Sequence, residues 1–335
     1  MALLQVSGSP HVYTDDSVKK IMWTVNIALL PTLIFSFLFF GWGAVQVTLI
    51  SVAACIIFEW LIQKFLFKSK GVKLDGSAMV TGLLLAFNLP GNLPWWIVII
   101  GAIVAIGIGK MAYGGLGKNP FNPALVGRVF LLISFPQQMT TWPKPHLWFS
   151  QATALTDATT GATPLGIIKN GLAQGQKVEE LMETVPTYAQ MLLGERGGSL
   201  GEVAALAIIA GGLFMLIRKV ITWHIPVAFI GASFIFAAIL HFINPSLYIP
   251  PSYHILSGGL LLGAIFMATD MVTSPMSNWG KIIFGIGCGI LTIVIRVAGS
   301  YPEGVSFAIL IMNAFVPLIN KGFKPTRFGS QKITA

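Results

Sequence analysis

Charge is what this chain has least of. Only 10% of its 335 residues are Asp, Glu, Lys or Arg, against about a quarter in a soluble domain. Cysteine is nearly absent. Cys55 and Cys288 lie inside apolar runs and form no CxxC and no paired Cys/His spacing. No iron–sulfur or zinc site is therefore expected, and the thiols read as small buried hydrophobes. Catalytic triads and paired carboxylates are missing, and His146, His224, His241 and His254 are scattered near the ends of apolar runs, so nothing suggests hydrolysis. Neither "GIGIGK" nor "GGLGKN" is a phosphate-binding loop: no Ser or Thr follows the Lys and no strand precedes it. The opening "MALLQVSGSPHVYTDDSVKK" lacks the basic start, apolar stretch and small-residue cleavage site of a secretory signal. The N-terminus is thus expected to stay on its side of synthesis.

What the chain has instead is apolar length. Hydrophobic residues make up 55% of it, with 23 Phe and nine Trp. A bilayer core takes roughly 20 helical residues to cross, and only helices or closed barrels satisfy the backbone there. The apolar runs are long and do not alternate, so the expected fold is an all-α polytopic membrane protein. Ten spans are expected near 21–40, 45–63, 76–90, 93–110, 123–136, 203–217, 221–243, 255–269, 282–298 and 305–320. With a cytoplasmic N-terminus, 15 of the 21 Lys and Arg residues fall on the inside, Arg128 lies within a span, and five fall outside. That asymmetry follows the positive-inside rule and puts both termini in the cytoplasm. The net charge of +9 then reads as a topology signal, with no nucleic-acid partner implied.

Five spans precede the one long extramembrane segment and five follow it, which inverts the halves relative to each other. The third span of each half is short and glycine-rich, "GSAMVTGLLLAFNLP" (76–90) and "ILSGGLLLGAIFMATD" (255–270). Paired short, interrupted segments point to the functional centre of an inverted-repeat fold. The expected organisation is 1–136 as N-terminal tail and first five-helix repeat and 137–202 as an extracytoplasmic segment. Residues 203–320 form the second repeat and 321–335 a cytoplasmic tail. The segment "KVEELMETVPTYAQMLLGERGGSLGE" reads as a short amphipathic helix.

Ionisable groups near membrane depth are candidates for ion paths or buried polar networks. Glu59 reads as that, or as a carboxylate snorkelling beside Trp60 and Lys64. Asp270, in "FMATDMVTSP", reads as a functional carboxylate or as the cap of the next turn. Asn119, Pro120, Asn122 and Pro123 make a rigid lead into the fifth span. Arg128 within that span needs an anionic partner, a carbonyl array or a ligand. The small, hydroxyl-rich "TDATTGATPLG" (156–166) is, on local physics alone, a turn in which Asp157 or Thr159 caps a short helix starting near Pro164.

Five stretches carry a resemblance in one order along the chain: "SGSPHV", "YGGLGKNPFNPALVGRVF", "DATTGATPL", "LLLGAIFMATDMVTSP" and "YPEGVSFAILIMNAFVPLI". The chain resembles the family that holds the D component of the bacterial Rnf complex, an ion-translocating ferredoxin:NAD oxidoreductase, and the B component of the Na+-translocating NADH:quinone reductase. The short front fits the Rnf side better. The resemblance implies a ten-span inverted fold similar to urea and ammonium channels, in the bacterial inner membrane. It implies FMN joined through a phosphoester to Thr163 by a flavin transferase, within the pattern Asp157, Thr160, Gly161, Ala162, Thr163. It also implies a second, non-covalent riboflavin-like cofactor, for which Asn122, Arg128 and Asp270 are expected neighbours from motif position. The A, B, C, E and G components of Rnf and membrane lipid are the implied partners. The chain shows no nicotinamide-binding fingerprint, so NAD and ferredoxin would meet other components. A small-solute channel or transporter, and a cofactor-free scaffold, remain the rival readings.

Overall fold

In a computed structural model the chain is described over residues 16–68, 75–145, 160–194, 196–202, 205–299 and 301–324. Among the described residues, five helical stretches are long and apolar enough to cross a bilayer: Val18–Leu66, Trp95–Tyr113, His224–Ile243, Asn278–Ala298 and Val305–Gly322. Three shorter apolar helices, Ser77–Phe87, Pro123–Ser134 and Ala205–Ile217, accompany them. The chain is therefore a multi-pass helical membrane protein. Leu49, Leu213, Phe242 and Ile243 are among many large apolar side chains left on its surface, where lipid rather than water is their solvent.

Helix α1 (Val18–Leu61) starts at Ser17, whose hydroxyl caps it by accepting from Lys20 N–H. Its 44 residues would reach about 66 Å if straight, at about 1.5 Å per residue, twice a hydrocarbon core of roughly 30 Å. Gly41, at φ 59° and ψ −139°, breaks it into two arms, a conformation that a side chain would strain. The two expected spans at 21–40 and 45–63 are thus the two arms, meeting at Gly41. Helices α2 (Ser77–Phe87), α3 (Trp95–Ile103, continued by a π turn over Val104–Ile108) and α4 (Pro123–Ser134) follow, with a short α5 (Pro136–Met139) after them.

Beyond α5 the chain makes a two-residue antiparallel pairing, β1 (Trp142–Pro143) with β2 (Thr160–Gly161). Helices α6 (Pro164–Ala173), α7 (Val178–Thr184) and α8 (Tyr188–Leu193) come next. The acidic stretch expected as one amphipathic helix is two, because Pro186 cannot continue α7 and Thr187 opens α8 with a capping box. These helices cover their own small core of Leu165, Ile168, Val178, Val185, Met191, Ile249 and Tyr253.

The last part holds α9 (Ala205–Ile217), α10 (His224–Ile243), α11 (Pro251–Leu256), α12 (Leu260–Leu262, continued by a π turn over Gly263–Met267), α13 (Asn278–Ala298) and α14 (Val305–Gly322). α10 packs on α13 and α13 on α14, while α1 packs on α2, α3 and α9. The contacts of α1 with α9 and of α4 with α14 join the early and late helices into one core. Glycines set the close crossings. A Cβ on Gly82 of α2 would lie 2.7 Å from Val52 Cα, and one on Gly211 of α9 would run into Ala28 O.

Candidate functional site

Thr163 precedes α6 in extended conformation and caps it, its Oγ1 accepting the Gly166 N–H at 3.1 Å. The helix does begin at Pro164, as expected, but the cap is Thr163; Asp157 and Thr159 lie outside the described residues. Thr163 is only 6% exposed. Gly161 before it is closely packed. Gly161 pairs with Trp142, and a Cβ there would stand 3.0 Å from Lys144 Cγ. Thr160 lies in the same pairing, opposite Pro143.

Ala162 and Thr163 open onto a cavity of about 300 Å3, lined also by Arg128, Trp142, Lys169, Tyr301 and Glu303. Arg128, 3% exposed, donates from Nη2 to Glu303 Oε2 and from Nη1 to Asn88 Oδ1. The partner its position demanded is thus a carboxylate 175 residues away. Lys169 Nζ donates to the carbonyls of Gly299 and Tyr301. Partial burial pulls the Lys169 ammonium below the usual lysine range, and a phosphate beside it would reverse that pull. The Tyr301 ring stacks on Phe307 with centroids 5.7 Å apart.

The other expected residues sit at a second cavity. Asn122 caps α4, its Oδ1 accepting from Ala124 N–H at 3.1 Å, while its Nδ2 donates to Met267 O at 3.1 Å. Asp270 accepts from Thr273 Oγ1 at 3.0 Å, so it does cap the following turn. Both line a cavity shared with Ser77, Lys110 and Asn119. The structure therefore separates the three residues grouped as neighbours of a second flavin. Asn122 and Asp270 belong together, and Arg128 belongs with Thr163. Asn122 and Arg128 are six residues apart on α4, about 9 Å along its axis, so this helix carries one cavity near each end. Between them, Asn88 Nδ2 donates to Leu84 O and lies 3.7 Å from Met267 Sδ, and Asn88 Oδ1 receives Arg128. One buried polar string thus runs from Asn122 through Met267 and Asn88 to Arg128 and Glu303.

Glu59 does not snorkel. It is 4% exposed and takes both carboxylate oxygens to Lys110 Nζ, at 2.9 and 2.8 Å. Lys110, itself 1% exposed, also donates to Ser77 Oγ at 2.6 Å, and Ser77 Oγ donates to Asp75. Lys64 lies over the Trp60 ring instead, 4.5 Å from its centroid.

Among the described residues, five buried charges escaped the sequence reading: Lys110, Arg196, Glu202, Arg296 and Glu303. Arg196 donates to the carbonyls of Leu256 and Glu202, and Arg296 to those of His254 and Ser257 at 2.5 and 2.9 Å. Two guanidinium groups therefore satisfy the carbonyls at the end of α11, where the chain breaks at Ser257–Gly259. A charge beside a glycine in an apolar setting was the available signal, in "GSLGE" and "YPEG".

A multi-pass helical membrane protein with polar cavities at both ends of a short, Pro-led helix is the class that fold and site define. Residues 5–329 match the model of the NQR2, RnfD, RnfE family, and the chain belongs to that family. Its relatives are D components of ion-translocating oxidoreductase complexes. It is 43% identical over 335 residues to that of the proton-translocating ferredoxin:NAD(+) oxidoreductase complex of Clostridium ljungdahlii, covering 98% of this chain and 97% of that one. It is 43% identical to that of the ion-translocating oxidoreductase complex of Stutzerimonas stutzeri, covering 94% and 93%. The counterpart in the Na(+)-translocating ferredoxin:NAD(+) oxidoreductase complex of Acetobacterium woodii is 42% identical, covering 98% and 96%.

Proposed function

We propose that this chain is the electron-carrying membrane D component of an Rnf-type complex, coupling electron transfer between ferredoxin and NAD to movement of Na+ or H+, with FMN esterified to Thr163. Family membership and the names of the relatives support the setting. The observation that supports the site is the cavity at the N-terminus of α6, which brings together Thr163, Lys169, Arg128, Trp142 and Tyr301. A phosphodiester on Thr163 Oγ1 would add an anionic acceptor beside the capping oxygen at the helix start, where the first-turn N–H groups and the helix dipole favour negative charge. Lys169 adds a cation one and a half turns further on. Trp142 and Tyr301 offer flat apolar faces to a ring system. Glu303 and Asn88 hold Arg128 rigidly at the same cavity.

FMN, when bound, accepts and donates electrons singly or in pairs; the chain supplies its position and electric field. A second, non-covalent flavin is read at the cavity of Asn122 and Asp270; at about 80 Å3 that cavity would have to widen to take a flavin ring system. The proposed architecture is ten crossings in two inverted repeats, 1–136 and 203–320, flanking an extracytoplasmic segment, in the urea- and ammonium-channel-like arrangement of the resemblance. The A, B, C, E and G components of Rnf and a flavin transferase are the proposed partners. Co-expression with a flavin transferase tests the cofactor. The wild-type chain is expected to fluoresce as flavin on a denaturing gel, and Thr163→Ala is expected to lose the signal. A dark wild-type band overturns the redox reading, and a fluorescent Thr163→Ala overturns the site.

A further inference from the structure

A third cavity, of about 440 Å3, lies on the far side of Lys169 and Pro302, which line it and the Thr163 cavity alike. Its walls come from α6, from the 247–249 turn before α11, and from the last turns of α13. Those elements place it where membrane-spanning helices end and the covering helices of the extramembrane segment begin. Ile168, Leu172 and Ile249 are typical of most of its lining. The remainder is polar: Tyr248, a neutral His254, and the cations Lys169 and Arg296, with no carboxylate among the lining residues.

Two of these side chains are short of partners. Arg296 and His254 are 6% and 5% exposed. Arg296 spends both terminal nitrogens on the carbonyls of His254 and Ser257, which leaves Nε buried without an acceptor. His254 Nδ1 is likewise buried and unpartnered. Arg296 and Lys169 give this wall positive charge with no carboxylate lining it to neutralise them, so it favours an anionic group. An apolar chain attached to that group would fill the rest.

We propose that this cavity binds an anionic phospholipid of the adjoining leaflet, its phosphate facing Arg296, His254 and Lys169 and an acyl chain lying along Ile168, Leu172 and Ile249. The site shares Lys169 and Pro302 with the Thr163 cavity, but the proposal does not require a flavin there. It ties α6 to the ends of α11 and α13, and so holds the helix that carries Thr163 against the membrane.

Native mass spectrometry of the full chain in mild detergent tests it, with phosphatidylglycerol and phosphatidylcholine added in parallel. The expected result is one retained phosphatidylglycerol, bound at least tenfold more tightly than phosphatidylcholine. Leu172→Trp, which fills the cavity from its partly exposed side, is expected to abolish retention while melting within a few degrees of wild type in lipid-free detergent. Arg296→Gln is expected to erase the preference for the anionic lipid. Equal retention of the two lipids by wild type, no retained phospholipid, or unchanged retention in Leu172→Trp each overturns the proposal. The wild-type comparison decides it even where Arg296→Gln fails to fold.

Discussion

Removing the guanidinium of Arg128 strands two groups at once. Glu303 keeps a buried carboxylate without its ion-pair partner, and Asn88 Oδ1 loses its donor. Breaking a buried pair from one side costs about 3–5 kcal/mol. Arg196 remains within electrostatic reach of Glu303, so Arg128→Gln is expected to destabilise towards the lower end, read as a fall in melting temperature in detergent. Arg128→Met combined with Glu303→Leu is expected to recover most of that loss, because no buried charge is then left alone. Thr163 behaves differently. Its Oγ1 makes one capping bond, so Thr163→Ala is expected to cost only about 1 kcal/mol while removing any flavin. At this scale the sequence was uneven. That Arg128 needed a partner was legible, because a charge in an apolar run cannot stand alone. Which partner it has was not, since Glu303 arrives through tertiary packing. Glu59 misled for the same reason: its neighbours along the chain suggested the interface, whereas Lys110 draws it inside.

Between helices, small residues decide how closely the backbones approach. Gly82 and Gly211 let α2 and α9 lie against α1, at Val52 and Ala28. Gly82→Ala and Gly211→Ala are each expected to destabilise by about 1–3 kcal/mol through overpacking. Gly231 of α10 makes a control, because a Cβ there meets nothing within 4 Å. Gly231→Ala is expected to be neutral or slightly stabilising, given the better helix propensity of alanine; thermal unfolding of all three variants checks the contrast. Helix positions were the most legible feature of the chain, since apolar runs announce them. Breaks inside the runs were less so. The break at Gly41 did fall between the expected spans, but nothing in the sequence said that the second arm follows it without a loop. Pro186 did carry the signal that divides α7 from α8, and an amphipathic reading of the whole stretch passed over it.

At the scale of the whole molecule, the spacing of basic residues along the chain is read as a topology signal. If the inside assignment holds, Glu180, exposed on α7, faces out, and Lys118, exposed before α4, faces the cytoplasm. Glu180→Cys is expected to react with a membrane-impermeant maleimide in intact cells, and Lys118→Cys only after permeabilisation. The two native thiols are buried and give little background. The reverse pattern overturns the orientation. What no local reading could assemble is the convergence of Asn88, Arg128 and Glu303 beneath Thr163, drawn from three distant stretches. The attachment pattern was legible only through family resemblance, because a capped turn and a flavin site look alike over eleven residues. The central claim, a flavin on Thr163, is tested most directly by the intact mass of the chain purified from cells that also make a flavin transferase. The account predicts a gain of one FMN less one water, carried by the proteolytic fragment that contains Thr163. The bare mass of the unmodified chain, or the same gain on a different fragment, would contradict it.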